Sequence, residues 1–328
     1  MKPTLKFKSD GSFRILIMSD MHHAPDTGIK VVSDMERLIE HTQPDLVLLG
    51  GDNTTGKSTK AQFVELLVQI AEPMERRGLP WAHVFGNHDI SPDVSKEYQQ
   101  SVYESYPHCL SQAGPEELSG VGNWFLPILG ATGEPVCGVW GLDSHQDFKT
   151  LSVPLDTLEN PYWSLLMPER IASNSDSDFV RFDQVEWYYE GSKALEKRWG
   201  RRIPSLMLLH IPLAEFAAIP KNPGRTGFRG EYNERICASE VNSGLFAALL
   251  QRGDVKCVFA GHDHINTFEG VYCGIRMGYV GSVGDHGYGA REFDPGHSRE
   301  RLRGGRIIDL HEAAPERMDT EMLLLNTI

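Results

Sequence analysis

Five apolar runs in this chain each end in side chains that can bind a metal, and no ordinary folding requirement explains that. "RILIMSDMH" delivers Asp20 and His22, "LVLLGGD" delivers Asp52, and "AHVFGNHD" delivers Asn87, His88 and Asp89. "LMLLH" delivers His210, and "CVFAGHDH" delivers His262, Asp263 and His264. Turn chemistry accounts for Gly, Asn or Asp after a strand, but not for the imidazoles. In an open α/β sheet, ligands collect outside the carboxyl ends of the strands. Five such strands side by side would bring these groups to one edge, although they are spread from residue 20 to residue 264.

The connecting segments suit such a sheet. "DTGIKVVSDMERLIEHT" spaces Ile29, Val32, Met35, Leu38 and Ile39 along one side of a helix, and "TKAQFVELLVQIAEPMER" reads as a second helix. Strand, helix, strand, helix, strand marks a largely parallel α/β sheet. "NWFLPIL" and "CGVWGLDS" read as strands, the second ending at Asp143. "FDQVEWYYEGSKALEKRW" and "SEVNSGLFAALLQRG" read as helices, and "INTFEG", "GIRMGYVGS" and "GGRIIDL" as short closing strands. Residues 144–182, with Pro154, Pro161, Pro168 and "SNSDSD", are too long for a plain connection and predict a lid, a substrate loop or an insertion. Residues 221–235 form a Gly- and Arg-rich loop. The 328 residues read as one domain, with a core over 13–310 and a peripheral tail after His311.

A formal net charge of -13 argues against wrapping nucleic acid, which needs clustered Lys and Arg. It leaves room for a small phosphorylated substrate, because the charge of a bound metal overrides the global field locally. Cys109, Cys137, Cys237, Cys257 and Cys273 are scattered and form no C-x-x-C pair, so they read as reduced thiols of a cytoplasmic protein. The opening "MKPTLKFKSDGSFRILIMSD" reads as neither a signal peptide nor a membrane span. No membrane partner is expected, and no pattern speaks to oligomeric state.

One rival motif overlaps the second run. Residues 51–58, G-D-N-T-T-G-K-S, match the phosphate-cradling pattern G-x-x-x-x-G-K-[ST]. That reading needs Lys57 and Ser58 at a γ-phosphate and Mg²⁺, and no acidic partner site for it stands out. Asp52 already belongs to the five-part set, so this stretch reads as a loop entering the next helix.

Taken in order, D-M-H, G-D, G-N-H-D, H and G-H-D-H resemble the calcineurin-like metallophosphoesterases, whose pattern is D-x-H, G-D, G-N-H-[DE], H and G-H-x-H. "ASEVNSGLFAALLQRGDVKCVFAGHDHIN", "SVYESYPHCLSQ" and "GYVGSVGDHGYG" resemble the branch that holds small purple-acid-phosphatase-like proteins of plants and related fungal phosphatases. The resemblance spans about 13 to 310. It implies a four-layer αββα sandwich of two mixed β-sheets, with a dinuclear metal site at the strand C-terminal ends. It further implies that Asp20, His22 and His264 hold one metal, that Asn87, His210 and His262 hold the other, and that Asp52 bridges them. Carboxylate oxygen with neutral imidazole suits divalent or trivalent Fe, Mn or Zn better than Ca or Mg. By the same resemblance His88 protonates the leaving oxygen, with Asp89 holding its ring, while Asp263 turns the loop between two ligating histidines.

Weaker candidates surround this set. His286 and Tyr288 of "GDHGYGA", with Arg225, Arg229 and Arg235, are candidate substrate contacts. His23 reads as exposed beside His22, and His41, His83, His108, His145, His297 and His311 belong to no constellation. True purple acid phosphatases have D-x-G and G-D-x-x-Y, whereas here the first block is D-M-H and Thr55 stands where the tyrosine would be. No tyrosinate-to-iron charge transfer is possible from that position, so the protein is expected not to be purple.

The resulting expectation is dinuclear-metal-dependent hydrolysis of phosphoric esters by a metal-bridging hydroxide and a His general acid. A phosphomonoesterase acting on a small molecule or a phosphoprotein is the leading form. Two alternatives stay open: a phosphodiesterase of cyclic nucleotides or lipid head groups, and a catalytically silent metal-binding or interaction protein.

Overall fold

The apolar runs become strands buried on both faces, which is why they read as continuous rather than alternating. The computed structural model describes residues 2–55, 58–91, 93–146, 177–239, 241–285 and 299–328. In one sheet β1 (Ser12–Met18), β2 (Leu46–Leu49) and β3 (Trp81–His83) run parallel. The second sheet contains β4 (Trp124–Leu129), β5 (Pro135–Gly141), β6 (Ser205–Leu209), β7 (Val255–Ala260), β8 (Glu269–Tyr272) and β9 (Ile275–Tyr279). Its order is β4-β5-β6-β7-β9-β8, parallel through β5, β6, β7 and β9 and antiparallel at both edges. The first sheet is completed by β10 (Gly304–His311), antiparallel to β1, and β11 (Met318–Leu324), antiparallel to β10.

Side chains alternate across each strand, and that alternation builds the layers. Ile15, Ile17, Leu46 and Leu48 meet Leu206, Leu208, Cys257 and Phe259 between the two sheets. Their neighbours Leu16, Met18, Val47 and Leu49 pack on α1 (Lys30–Thr42) and α2 (Lys60–Glu75). Met207, Leu209, Val258 and Ala260 pack on α4 (Phe182–Trp199) and α5 (Leu245–Arg252). The result is the four-layer αββα sandwich with two mixed sheets. Arg306 of β10 ties the sheets together, donating to the carbonyls of Tyr279 (2.6 Å) and Thr267 (3.0 Å) and to Glu269 (3.0 Å). Among the described residues no helix is long and apolar enough to cross a membrane.

Several local expectations need correction. Ile29 caps α1 instead of packing and is 71% exposed. The helix α5 starts only at Leu245, because Gly244 before it adopts φ 84°. Of "INTFEG", only 269–270 enter a strand. The tail after His311 is not merely peripheral: β11 adds an edge strand, and Leu323 and Leu325 enter the layer beneath α1 and α2. α3 (Lys96–Ser105) escaped notice because the residues it buries are Lys96, Gln99, Gln100 and Tyr103, which carry no apolar period. The stretch that matched a phosphate loop leads into α2, where Thr59 and Gln62 form a capping box. Residues 221–235 include the turn Pro223–Thr226 and then run beside the approach to β8. Thr267 N–H donates to the Glu231 carbonyl (3.0 Å), and Ile265 N–H to the Glu234 carboxylate (2.7 Å). Most of the segment 144–182 lies outside the described residues.

Candidate dinuclear metal centre

The five strand ends converge at one edge of the sandwich. Asp20, His22, Asp52 and His264 each offer one donor atom, and these atoms all lie within 4.8 Å of one another. To turn these side chains inward, Asp20, His22, Asp52 and His262 adopt the left-handed region, with φ of 54°, 45°, 50° and 75°. Such backbone costs on the order of 1–3 kcal/mol per residue and persists only where surrounding contacts hold it. Those contacts are visible: Asp20 N–H donates to the Gly51 carbonyl (3.0 Å) and His22 N–H to the Asp52 carbonyl (2.8 Å). Two motif glycines are demanded by crowding. A Cβ on Gly86 would meet Asp52 Oδ1 at 2.1 Å, and one on Gly51 would meet His210 Nδ1 at 2.5 Å.

The donors sort into two groups that share Asp52. In the first, His22 Nε2 faces His264 Nε2 at 3.1 Å, with Asp20 Oδ1 3.3 Å from the latter and Asp52 Oδ2 3.5 Å from the former. Burial pushes His22 down to about 4, so its ring is a neutral donor at ordinary pH. In the second, His210 Nε2 lies 3.0 Å from Asn87 Oδ1 and 3.3 Å from Asp52 Oδ2. His210 Nδ1 donates to the Gly50 carbonyl (2.9 Å), which turns Nε2 toward the site. Against burial, Asp52 and Asp20 push His210 up to about 10, so without metal Nε2 carries a proton that a bound cation would displace. The His262 ring stands edge-on to His210 at 5.3 Å, and burial takes it down to about 3. Asp52 Oδ1 accepts from His88 N–H (2.7 Å), which turns Oδ2 toward both groups.

This set fits a metal pair on its own chemistry. Asp20 and Asp52 are each 1% exposed, and their ion-pair partners among the described residues are histidines alone. Burial opposes charge on Asp52, yet the protonated His210 beside it holds it well below the usual carboxylate range. Buried carboxylates facing imidazole nitrogens across 3–4 Å call for positive charge between them, which a proton on His210 supplies without metal and a bound cation would supply in its place. The mix of imidazole nitrogen, carboxylate and amide oxygen suits Fe, Mn or Zn.

Beside the donors, His88 is exposed and sits edge-on to His22 with ring centres 5.2 Å apart. Asp89 does not hold its ring. One Asp89 oxygen accepts from Thr54 N–H (2.9 Å), and the other from Gly86 N–H (2.8 Å). It therefore staples the loop after β2 to the loop after β3. Burial, with Asp52 nearby, pushes Asp89 up to about 7. Asp263 is structural, accepting from Cys237 N–H (3.2 Å) and from the Tyr279 hydroxyl.

The weaker candidates separate. Arg229 pairs with Glu269, so it is spoken for. Arg225 and Arg235 are exposed, and neither makes a described hydrogen bond or ion pair to the ligand cluster. His286 and Tyr288 lie outside the described residues. His23 is not exposed: it is 1% accessible, bonded to Thr27 Oγ1 (3.2 Å) and Gln69 Oε1 (3.0 Å). Two contributors carried no sequence signal, the Gly50 carbonyl behind His210 and Ser177, whose hydroxyl lies 3.3 Å from His262 Nε2.

Comparison with known proteins agrees with this geometry. Residues 13–266 match the profile of the family described as Calcineurin-like phosphoesterase. The chain is 33% identical over 318 residues to "Probable inactive purple acid phosphatase 14" of Arabidopsis thaliana, covering 87% of this chain and 74% of that one. It is 24% identical over 291 residues to "Phosphatase DCR2" of Saccharomyces cerevisiae, covering 80% of this chain and 46% of that protein. Among solved structures, a dimetal phosphatase from Danio rerio superposes with a TM-score of 0.56 at 12% identity, covering 90% of this chain and 95% of that one. At that identity the likeness speaks for the fold alone.

Proposed function

The chain belongs to the calcineurin-like phosphoesterase family, and from that premise we propose that it is a phosphatase of phosphoric monoesters with His88 as general acid. As a family member it is a hydrolase acting on phosphoric ester bonds. Asp20, His22, Asp52 and His264 would hold one metal ion, and Asp52, Asn87, His210 and His262 a second. When bound, iron, manganese or zinc at these positions supplies Lewis-acid charge to the phosphoryl oxygens and acidifies water.

The protein's own residues do the rest. Asp52 carries its charge between the two groups, oriented by the bond from His88 N–H. That same bond places the His88 peptide against the carboxylate the two groups share. The exposed His88 ring donates a proton to the departing alkoxide, a contribution on the order of 10²–10⁴ in rate. The observation that carries this reading is an exposed imidazole beside two buried donor groups that share one carboxylate.

The plant relative's name includes "inactive", which keeps a silent metal-binding protein as the second reading. Against it stand all seven donors and His88, since a binder alone has no use for a proton donor facing solvent. The substrate is a phosphorylated small molecule or phosphoprotein. The test is turnover of p-nitrophenyl phosphate and bis-p-nitrophenyl phosphate by protein reconstituted with Mn²⁺, or with Fe²⁺ and Zn²⁺, alongside Asp52→Ala. Faster monoester cleavage that vanishes in Asp52→Ala supports the phosphatase. Faster diester cleavage replaces it with a phosphodiesterase, and no turnover with two metals bound favours the silent binder.

A further inference from the structure

Ser177 stands at the far end of the segment 144–182, five residues before α4 begins at Phe182. It is 7% exposed, and its hydroxyl touches two groups. Oγ lies 2.9 Å from the Cys237 carbonyl and 3.3 Å from His262 Nε2. A carbonyl only accepts, so the single hydroxyl proton goes to Cys237. The oxygen lone pair then accepts the Nε2–H of His262. We infer that Ser177 is a positioning residue for the second metal, holding His262 as the tautomer whose Nδ1 carries the lone pair.

This inference rests on the dinuclear reading above and adds to it. Within the second group the two histidines are held as opposite tautomers. His210 gives its Nδ1–H to the Gly50 carbonyl and keeps Nε2 for the site. His262 gives its Nε2–H to Ser177 and keeps Nδ1. A closed circuit supports the second arrangement. Ser177 donates to the Cys237 carbonyl, and Cys237 N–H donates to Asp263 (3.2 Å), the residue after His262. The circuit ties Ser177, the strap over 231–237 and the G-H-D-H loop to one ring nitrogen. Partners of this kind orient a ligating imidazole and raise its basicity, and their loss costs about 10–100-fold in metal affinity.

The test uses the full chain, stripped of metal and titrated with Zn²⁺ by calorimetry, for wild type, Ser177→Ala and Ser177→Thr. Ser177→Ala should keep the first ion and bind the second about 10–100-fold more weakly. Ser177→Thr, which retains the hydroxyl, should restore the second site. A merely structural role would instead lower both affinities together with the melting temperature of the metal-free protein. Two ions held by Ser177→Ala as tightly as by wild type would overturn this inference alone. Fewer than two ions on wild type would overturn the dinuclear reading and this inference with it. A second measurement does not depend on how any variant folds. Ring ¹⁵N shifts of the Zn²⁺-loaded wild type should show His262 protonated at Nε2 and His210 at Nδ1. Protonation of His262 at Nδ1 would refute the assignment.

Discussion

Replacing Lys96 with methionine tests how this fold sorts its strand-end carboxylates into metal donors and ion pairs. Asp143 follows β5 much as Asp52 follows β2, yet its partner is a lysine. Lys96 Nζ lies 2.7 and 3.0 Å from the two Asp143 oxygens, and the two residues are 8% and 0% exposed. Val121 N–H (3.0 Å) and His145 N–H (2.9 Å) also donate to Asp143. Burial alone would raise the Asp143 pKa, but Lys96 and these bonds hold it below the ordinary value. Removing one partner of a buried pair costs about 3–5 kcal/mol. The two backbone donors that remain place this case near the lower end, about 3 kcal/mol. For 328 residues the average unfolding entropy is about 0.7 kcal/mol/K, so the melting temperature should fall by about 4–5 °C.

The pH dependence gives the sharper check. In wild type the folded pKa of Asp143 is depressed. Its stabilisation is therefore present above the unfolded carboxylate value of about 3.9 and fades as pH falls through the folded value. In Lys96→Met the unpaired carboxylate has its folded pKa raised instead. It gains a proton as pH falls, so the deficit against wild type should shrink between about pH 7 and pH 5. The double variant Lys96→Met with Asp143→Asn, neutral at both positions, should recover most of the loss. Differential scanning calorimetry on metal-free protein measures all three, keeping metal release out of the signal. An equal deficit at both pH values, or a double variant no more stable than Lys96→Met, would refute the reasoning.

Three further outcomes are expected. His88→Ala should bind two metals normally but lose about 10²–10⁴ in kcat on an alkyl phosphate, whose alkoxide needs a proton to leave. The loss on p-nitrophenyl phosphate should be much smaller, and an unchanged kcat on the alkyl phosphate would remove His88 from the chemistry. Gly86→Ala would push a Cβ to 2.1 Å from Asp52 Oδ1 and 2.3 Å from Asp52 N, so this variant should bind fewer metal ions per chain by elemental analysis. Full loading would show that the loop has slack the structure does not display. Iron-loaded protein should lack the tyrosinate charge-transfer band, since Thr55 occupies the tyrosine position, and a purple preparation would contradict the ligand set.

Much of the site was legible because its chemistry conflicts with what strands otherwise need. Apolar runs ending in Asp20, His22, Asp52, His210, His262 and His264 have no packing rationale, so the residue types alone point to metals. That the strands are buried in a largely parallel α/β sheet was legible in their apolar runs too, whereas the two-sheet, four-layer arrangement was implied by the family resemblance. What failed was whatever depended on a partner distant in sequence. Asp89 turned out to bond backbone rather than the His88 ring, and Arg229 found Glu269. α3 hid because its inward face is Lys96, Gln99, Gln100 and Tyr103.

The sequence by itself determined which side chains stand at the strand ends and which faces of the strands are buried. Both follow from backbone geometry with a period of two, which is local. Only the tertiary structure decided what each strand-end group meets. Asp52 is shared by two imidazoles while Asp143 receives an ammonium. His210 is set by a carbonyl 160 residues away, and His262 by a hydroxyl 85 residues away. The physical reason is that a hydrogen bond or ion pair is governed by distance in space, and loops leaving different strands carry no spacing rule that records which of them will touch.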